Sequence, residues 1–413
     1  MYTKRDSAVG MRERLTLLAI ILGGLALRTA SWRVQEFRGS HKSEFETLAR
    51  QIVQGDWAGY FSALRPHQPV YALLLTPVYL FNIDLATYTY ILHSCLASGT
   101  IYLAYRIARD LFGSECALAS AFLVAVNLMI AFWFPWITGD APFHFFFALF
   151  ALSAARAWIS PRLLSIVTFV ACAVLCALTR PEGAIVAAVA SSVLLGRLLP
   201  DTFPAWKASA VVFAVVVLCG SAFATLLQYN RPAREAFFSS VHVAYPLYIS
   251  TQMSSNSPDE QAAVYSGVGR VTAAARIDPG FVSDSYALSM AGLRFIGEHP
   301  GRWGWMYTVR LSSIVFPSLF SPWWSAQNRI YSFSMSFVLV VGALLACFRC
   351  KAASRYRVVG LAVMGFTIPL AVSLFQREVD YRVPVSMDVV LACLAPAGWR
   401  GLLWYRTALE RHA

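Results

Sequence analysis

The chain has 413 residues, of which 58% are hydrophobic and 14% charged, and a formal net charge of +12. Ordinary soluble domains carry roughly 25% charged residues, so the composition excludes a typical soluble enzyme and points to a polytopic membrane protein. The basic residues fall in short loops between apolar runs, where they act as an orientation signal, so no nucleic-acid partner is implied.

Lys4, Arg5, Arg12 and Arg14 precede the first apolar run, and no small-residue cleavage site follows it cleanly. It reads as an uncleaved first span. Candidate spans are Leu15–Trp32, Leu85–Tyr105, Cys116–Pro135, Ala141–Trp158, Leu163–Thr179, Gly183–Leu199, Trp206–Tyr229, Ile330–Phe348, Val358–Phe375 and Val385–Leu403. Each has about 17–24 residues, near what a hydrocarbon core of roughly 30 Å requires. Two further apolar stretches, Pro69–Phe81 and Trp303–Phe320, are assigned by loop charge. If both stay on the outer face, Arg106, Arg109, Arg156, Arg162, Arg197, Lys207 and the run Arg349–Arg357 all fall inside. The first of these stretches is short and the second contains Arg310 and Pro317, so both read as interfacial helices.

The expectation is therefore an all-α polytopic membrane protein of about ten transmembrane helices, with both termini cytoplasmic. Residues 1–229 form the N-terminal membrane core, including a first outer loop at 33–84. Residues 230–329 form an extracytoplasmic loop with interfacial helices, and 330–413 the C-terminal spans. Within the loop, Ser257-Pro258-Asp259-Glu260 reads as a helix start and Asp284–His299 as a helix stopped by Pro300. The cysteines lie mostly in apolar runs as small hydrophobes. Cys347 and Cys350 make a lone CxxC without a second pair, which does not define zinc.

Candidate site residues gather at the outer ends of the spans. In the first outer loop, Ser43-Glu44-Phe45-Glu46 fits a capping box, with Ser43 as N-cap and Glu46 reaching back. Phe45, Leu48, Ala49, Ile52 and Val53 then share one apolar face, and Glu46 pairs with Arg50 at i,i+4. Glu46 is thereby explained structurally, whereas Glu44 and His41 have no assigned partner. Asp140 opens the fourth span in Thr138-Gly139-Asp140-Ala141-Pro142, where it suits an N-cap, and it is the one acid at that outer loop. Arg180 and Arg382 lie on the outer side against the charge rule. Ion pairs with Glu182 and Asp380 are one account of them, and an anion held at that face is the other. Arg28, near the outer end of the first span, either snorkels or joins the same anion site.

Taken in order, these residues resemble the GT-C superfamily of polyprenyl-phosphate-dependent glycosyltransferases, in the branch of protein O-mannosyltransferases and lipid A aminoarabinose transferases (glycosyltransferase family 39-like). The resemblance runs through the first outer loop, Pro69–Leu75, YRIARDLFG at Tyr105–Gly113, Asp140, LTRPEG at Leu178–Gly183, FIGEHPGRW at Phe295–Trp303 and DYRVP at Asp380–Pro384. It implies a GT-C-type bundle in a bacterial inner membrane with its active site on the outer face. Such an enzyme transfers a sugar from a polyprenyl-phosphate carrier, usually with inversion, to a glycolipid, polysaccharide or protein. Phe45 and Ala49 match the family's aromatic and alanine, but His41 stands where relatives commonly carry Asp. Either His41 takes the base role, or Glu44 substitutes, or activity has been lost. Asp140 matches the second acidic position and Arg382 the late phosphate-binding arginine, with Arg180 and Arg28 as further donor-phosphate candidates. A divalent metal at paired acids stays an open option, which one acidic pair does not establish. A lipid-linked-sugar flippase or transporter, or a non-catalytic protein of envelope assembly, is the alternative.

Overall fold

The computed structural model describes residues 4–35, 42–57, 60, 69–132, 134–137, 139–198, 293–315, 326–349, 352–375 and 385–410. The expected span at 206–229, most of the loop at 230–302, and His41, Asp380 and Arg382 lie outside the described residues. So do the side chains of Ser43 and Glu44. The described residues are helical, with no strand among them: α1 Lys4–Gln35, α2 Lys42–Gln54, α3 Pro69–Leu80, α4 Leu85–Phe112, α5 Ser114–Val126, α6 Leu128–Phe132, α7 Asp140–Ile159, α8 Leu163–Thr179, α9 Pro181–Leu198, α10 Pro300–Val315, α11 Ala326–Arg349, α12 Ala352–Phe375 and α13 Val385–Glu410.

Among the described residues, three segments are long and apolar enough to cross a membrane: Gly10–Arg33, Asp140–Ile159 and Ile330–Arg349. Other apolar segments are shorter, among them Ser114–Val126, Leu163–Thr179 and Glu182–Leu194. α3 has 12 residues, about 18 Å of helix, too little to cross a bilayer core alone. It contains Pro77 and ends one residue before the expected Phe81. α8 has the bounds expected from its apolar run. Its Leu163 and Leu164 are nearly four-fifths exposed, and Val167, Val170 and Val174 about half. Such a stripe is unfavourable against water and at home against hydrocarbon.

The chain divides into two compact units, Met1–Leu194 with Met335–Ile368 and Val385–Ala413, and Leu195–Ser334 with Pro369–Pro384. In the first unit α4 is the hub, packed against α1, α3, α5, α7 and α13. Asp84 caps its start, its Oδ2 accepting from Thr87 N at 2.8 Å and from the Thr87 hydroxyl at 2.8 Å. α4 and α5 bury Ala104, Ala108, Ala117, Ser120 and Ala121. Small residues of this kind let helices approach closely where lipid removes the hydrophobic drive to associate. α7 is buried along most of its length, with Phe143, Phe147, Phe150 and Trp158 inaccessible. In the second unit Pro300 follows the helical break at His299 and opens α10, where Trp303 stacks on Tyr307 at 5.7 Å.

The span expected at Cys116–Pro135 is broken. Asn127 leaves helical geometry (ψ 106°), ending α5 and starting α6. Its Oδ1 accepts from Met129 N at 2.9 Å and Ile130 N at 3.3 Å, as an N-cap does. Met129 N would otherwise serve the Ala125 carbonyl four residues back. The Val124 and Ala125 carbonyls are taken instead by Arg28 of α1. A break inside an apolar region survives when neighbouring helices satisfy the freed groups, and this one has both sides satisfied.

Candidate functional site

The amphipathic helix read after Ser43 forms, and its apolar face is the buried one. Phe45, Leu48 and Ala49 of α2 are buried with Tyr60, Tyr71, Ala72, Leu75 and Ile137 in one cluster, against which Ile52 packs. Phe45 meets Tyr71 edge-on at 5.0 Å. α2 begins at Lys42, one residue before the expected N-cap boundary at Ser43, a shift within the usual uncertainty of helix ends. Glu46 and Arg50 converge on the Tyr79 hydroxyl, and Arg50 also lies over the Tyr79 ring at 4.4 Å. Burial first, and the Glu46 carboxylate second, push the Tyr79 hydroxyl up to about 12. Glu46 therefore serves the packing of α2 on α3, a contact that its spacing from Ser43 and Arg50 did not foretell.

Ile137 carries that cluster to within three residues of Asp140, which is 1% exposed. Asp140 is the first residue of α7, the N-cap position belongs to Gly139, and no side chain caps the helix. The capping role expected for Asp140 is thus corrected: its carboxylate turns to Arg180, with which it forms an ion pair. Arg180 also reaches Glu182 through Nε at 3.3 Å and lies near the Phe143 ring at 5.9 Å.

The turn that carries Arg180 explains its own sequence. Arg180 is extended (φ −155°, ψ 147°) and ends α8, its backbone N–H donating to Cys176 O. Pro181 then begins α9, where a missing N–H costs nothing. Glu182 turns back to Arg180. A Cβ at Gly183 would stand 2.3 Å from the Cys176 carbonyl, so only glycine lets α9 leave the end of α8 this closely. The turn is a device for presenting one guanidinium between two carboxylates.

Around this triad lies a layer of buried polar residues. His93 of α4 is inaccessible. Its Nδ1 faces the Phe134 carbonyl at 2.8 Å and its Nε2 the Tyr71 hydroxyl at 2.9 Å. A carbonyl only accepts, so Nδ1 carries the proton and Tyr71 donates to Nε2. Asp140 is within electrostatic reach of Tyr71, His93 and His144, and His144 is also within reach of Arg180 and Arg28.

Arg28 does not snorkel. It is 1% exposed and donates through Nη1 to Gly24 O at 2.9 Å and Ala125 O at 3.0 Å, and through Nη2 to Val124 O at 3.2 Å. Gly24 permits this, because a Cβ there would crowd Ile101 at 2.9 Å and Arg28 itself at 3.2 Å. A cation on the carbonyl end of α5 also complements the helix dipole. On the far side of the break, Asn127 Nδ2 donates to Asp388 of α13 at 2.9 Å, both residues being buried.

Of the residues singled out from sequence, the fold brings Asp140 and Arg180 into contact and sets Arg28 one layer away. Glu44 belongs to the first turn of α2. Sequence reasoning passed over His93, His144, Tyr71, Asn127 and Asp388. The available signal was an ionisable or amide side chain inside an apolar run, which is costly in hydrocarbon and therefore worth explaining. Among the described residues no group of three or more His, Cys, Asp or Glu could hold a metal ion.

No protein-family model and no characterised protein matches this chain. Among solved structures it is similar to the Archaeoglobus fulgidus oligosaccharyltransferase. With the apo form it shares 14% identity over 97% of this chain and 52% of that one, at a TM-score of 0.48. With the complex with Zn and sulfate it shares 13% identity over 83% and 42%, at 0.41. With the form tethered by a disulfide to an acceptor peptide containing the NVT sequon it shares 15% over 83% and 42%, at 0.40. The chain spans about half the length of that protein.

Proposed function

We propose that the protein is a membrane glycosyltransferase that takes a sugar from a polyprenyl-phosphate carrier and passes it to an acceptor hydroxyl at the outer face. The observation that carries this reading is the Asp140–Arg180–Glu182 triad, with Asp140 buried and its two partners partly so, at the end of an apolar bundle, beside the helix that bears Glu44. A guanidinium shared by two carboxylates is pre-positioned, and its planar fork suits phosphate oxygens.

In this reading the acceptor proton passes to Glu44 or to His41 as the acceptor oxygen bonds to the anomeric carbon. The bond from that carbon to the phosphate oxygen breaks with inversion, and the electron pair leaves on the polyprenyl phosphate. Asp140 assists by stabilising positive charge developing on the sugar ring. Arg382 and Arg180 meet the charge arriving on phosphate, Arg180 loosening its hold on Glu182 to do so. Arg28, already committed to three carbonyls, supports the site from behind.

The experiment is transfer of labelled sugar from a polyprenyl-phosphate donor in membranes holding the full chain. Glu44→Gln and His41→Ala separate the two base candidates, and Arg382→Ala is expected to weaken donor use far more than Arg349→Ala. Full activity in both base variants would sink the site assignment. A flippase reading draws on the ionisable residues inside the bundle, His93 and Asp388. It predicts movement of the lipid-linked sugar across vesicles with no transfer.

A further inference from the structure

Between α1, α4, α6 and α7 lies a small cavity, walled by Arg28, Thr100, Ile130, Phe134, Ala141 and His144. It has room for about one water-sized particle. Its walls are apolar apart from three side chains, and of these the Thr100 hydroxyl already gives its proton to Leu96 O at 2.8 Å. The remaining two are unusually placed. Arg28 and His144 are 1% and 4% exposed, and each keeps a buried nitrogen without a hydrogen-bond partner, Nε in Arg28 and Nε2 in His144.

The charge balance is equally incomplete. All three hydrogen bonds of Arg28 go to backbone carbonyls. Among the described residues no ion pair joins it to a carboxylate; Asp140 is bound to Arg180 and Asp388 to Asn127. The exposed carbonyl end of α5 supplies roughly half a negative charge. A full guanidinium in a low-dielectric interior needs more than that to offset its desolvation.

We propose that this cavity binds a small monovalent anion of halide size, held by Arg28 and His144. The space fits a halide more closely than a phosphate group, so titration with each ion tells the two apart, and the site does not rest on the transferase reading. A halide makes no demand for donors of its own beyond the N–H groups present, and its charge completes what the α5 terminus begins. The bound ion would lock α1 to α6 and α7 at the back of the Asp140 layer.

The test is thermal unfolding of the detergent-solubilised full-length protein, with chloride replaced by gluconate at constant ionic strength and then restored. Chloride and bromide should each raise Tm saturably, by about 2 °C or more, and inorganic phosphate should not. His144→Leu should weaken half-saturation at least tenfold, and Arg28→Gln should abolish the response. Should Arg28→Gln fail to fold, the wild-type titration and His144→Leu still decide the matter. An anomalous bromide peak beside Arg28 in crystals would locate the ion. A wild-type Tm indifferent to halide, a response unchanged in His144→Leu, or an equal saturable response to phosphate would each overturn the proposal.

Discussion

The two ends of the first unit treat charge in opposite ways. At the end where α4 finishes, Glu13 meets Arg109 at 3.7 Å, Asp110 meets Arg156 at 3.2 Å and Glu115 meets Arg400 at 2.9 Å. The arginines of these pairs are each about half exposed. At the end where α7 starts, the side chain of Arg180 is 17% exposed, while those of Asp140 and Glu182 are 2% and 13%. Coulomb attraction is the same law at both ends, but the surroundings decide its worth. Exposed pairs gain little because water already serves each charge. A buried charge that loses its partner has nothing to fall back on. The first set ties neighbouring helix ends together, and the second forms a polar site inside an apolar bundle.

That contrast can be broken or sharpened by substitution. The largest effect is expected from Arg180→Ala, which strands two carboxylates and should cost about 3–5 kcal/mol, read as a lowered unfolding midpoint in detergent. A loss under 1 kcal/mol would mean that water reaches Asp140 freely and that the two ends do not differ in kind. Next comes Asp388→Leu, which leaves the Asn127 amide unpaired at the helix break, at about 1–3 kcal/mol. Asp388→Asn retains an acceptor oxygen and should cost less than half as much. If the two variants are equal, the hydrogen bond is not what holds the break. The smallest effect is expected from Arg156→Ala, at most about 1 kcal/mol, shrinking further when salt is raised.

Much of the bundle was legible in the sequence because its signals are local. Leu163–Thr179 is bounded by Arg162 and by Arg180-Pro181, and the helix has those limits. The apolar face of α2 follows from residue spacing alone. The break at Asn127 was not legible, because an apolar run continues through it. What stabilises the break comes from Arg28, about a hundred residues earlier, and Asp388, far later. Asp140 misled for a related reason. Its local pattern favours an N-cap, but Arg180, forty residues on, offers the carboxylate a stronger partner. Tyr71 and His93 read as part of apolar helices until α3 and α4 set them side by side.

The Arg28 clasp also bears on how the chain is built. An arginine in an isolated apolar helix costs up to about 2.5–3.5 kcal/mol during insertion, the full figure applying at the helix centre, and the carbonyl partners of Arg28 at Val124 and Ala125 are synthesised long after it. α1 therefore gains its full reason to stay in the bilayer only once α5 arrives. Synthesis order makes the first helix wait for the fifth, and a chain truncated before Ala125 should hold α1 less securely in the membrane than one that extends past it.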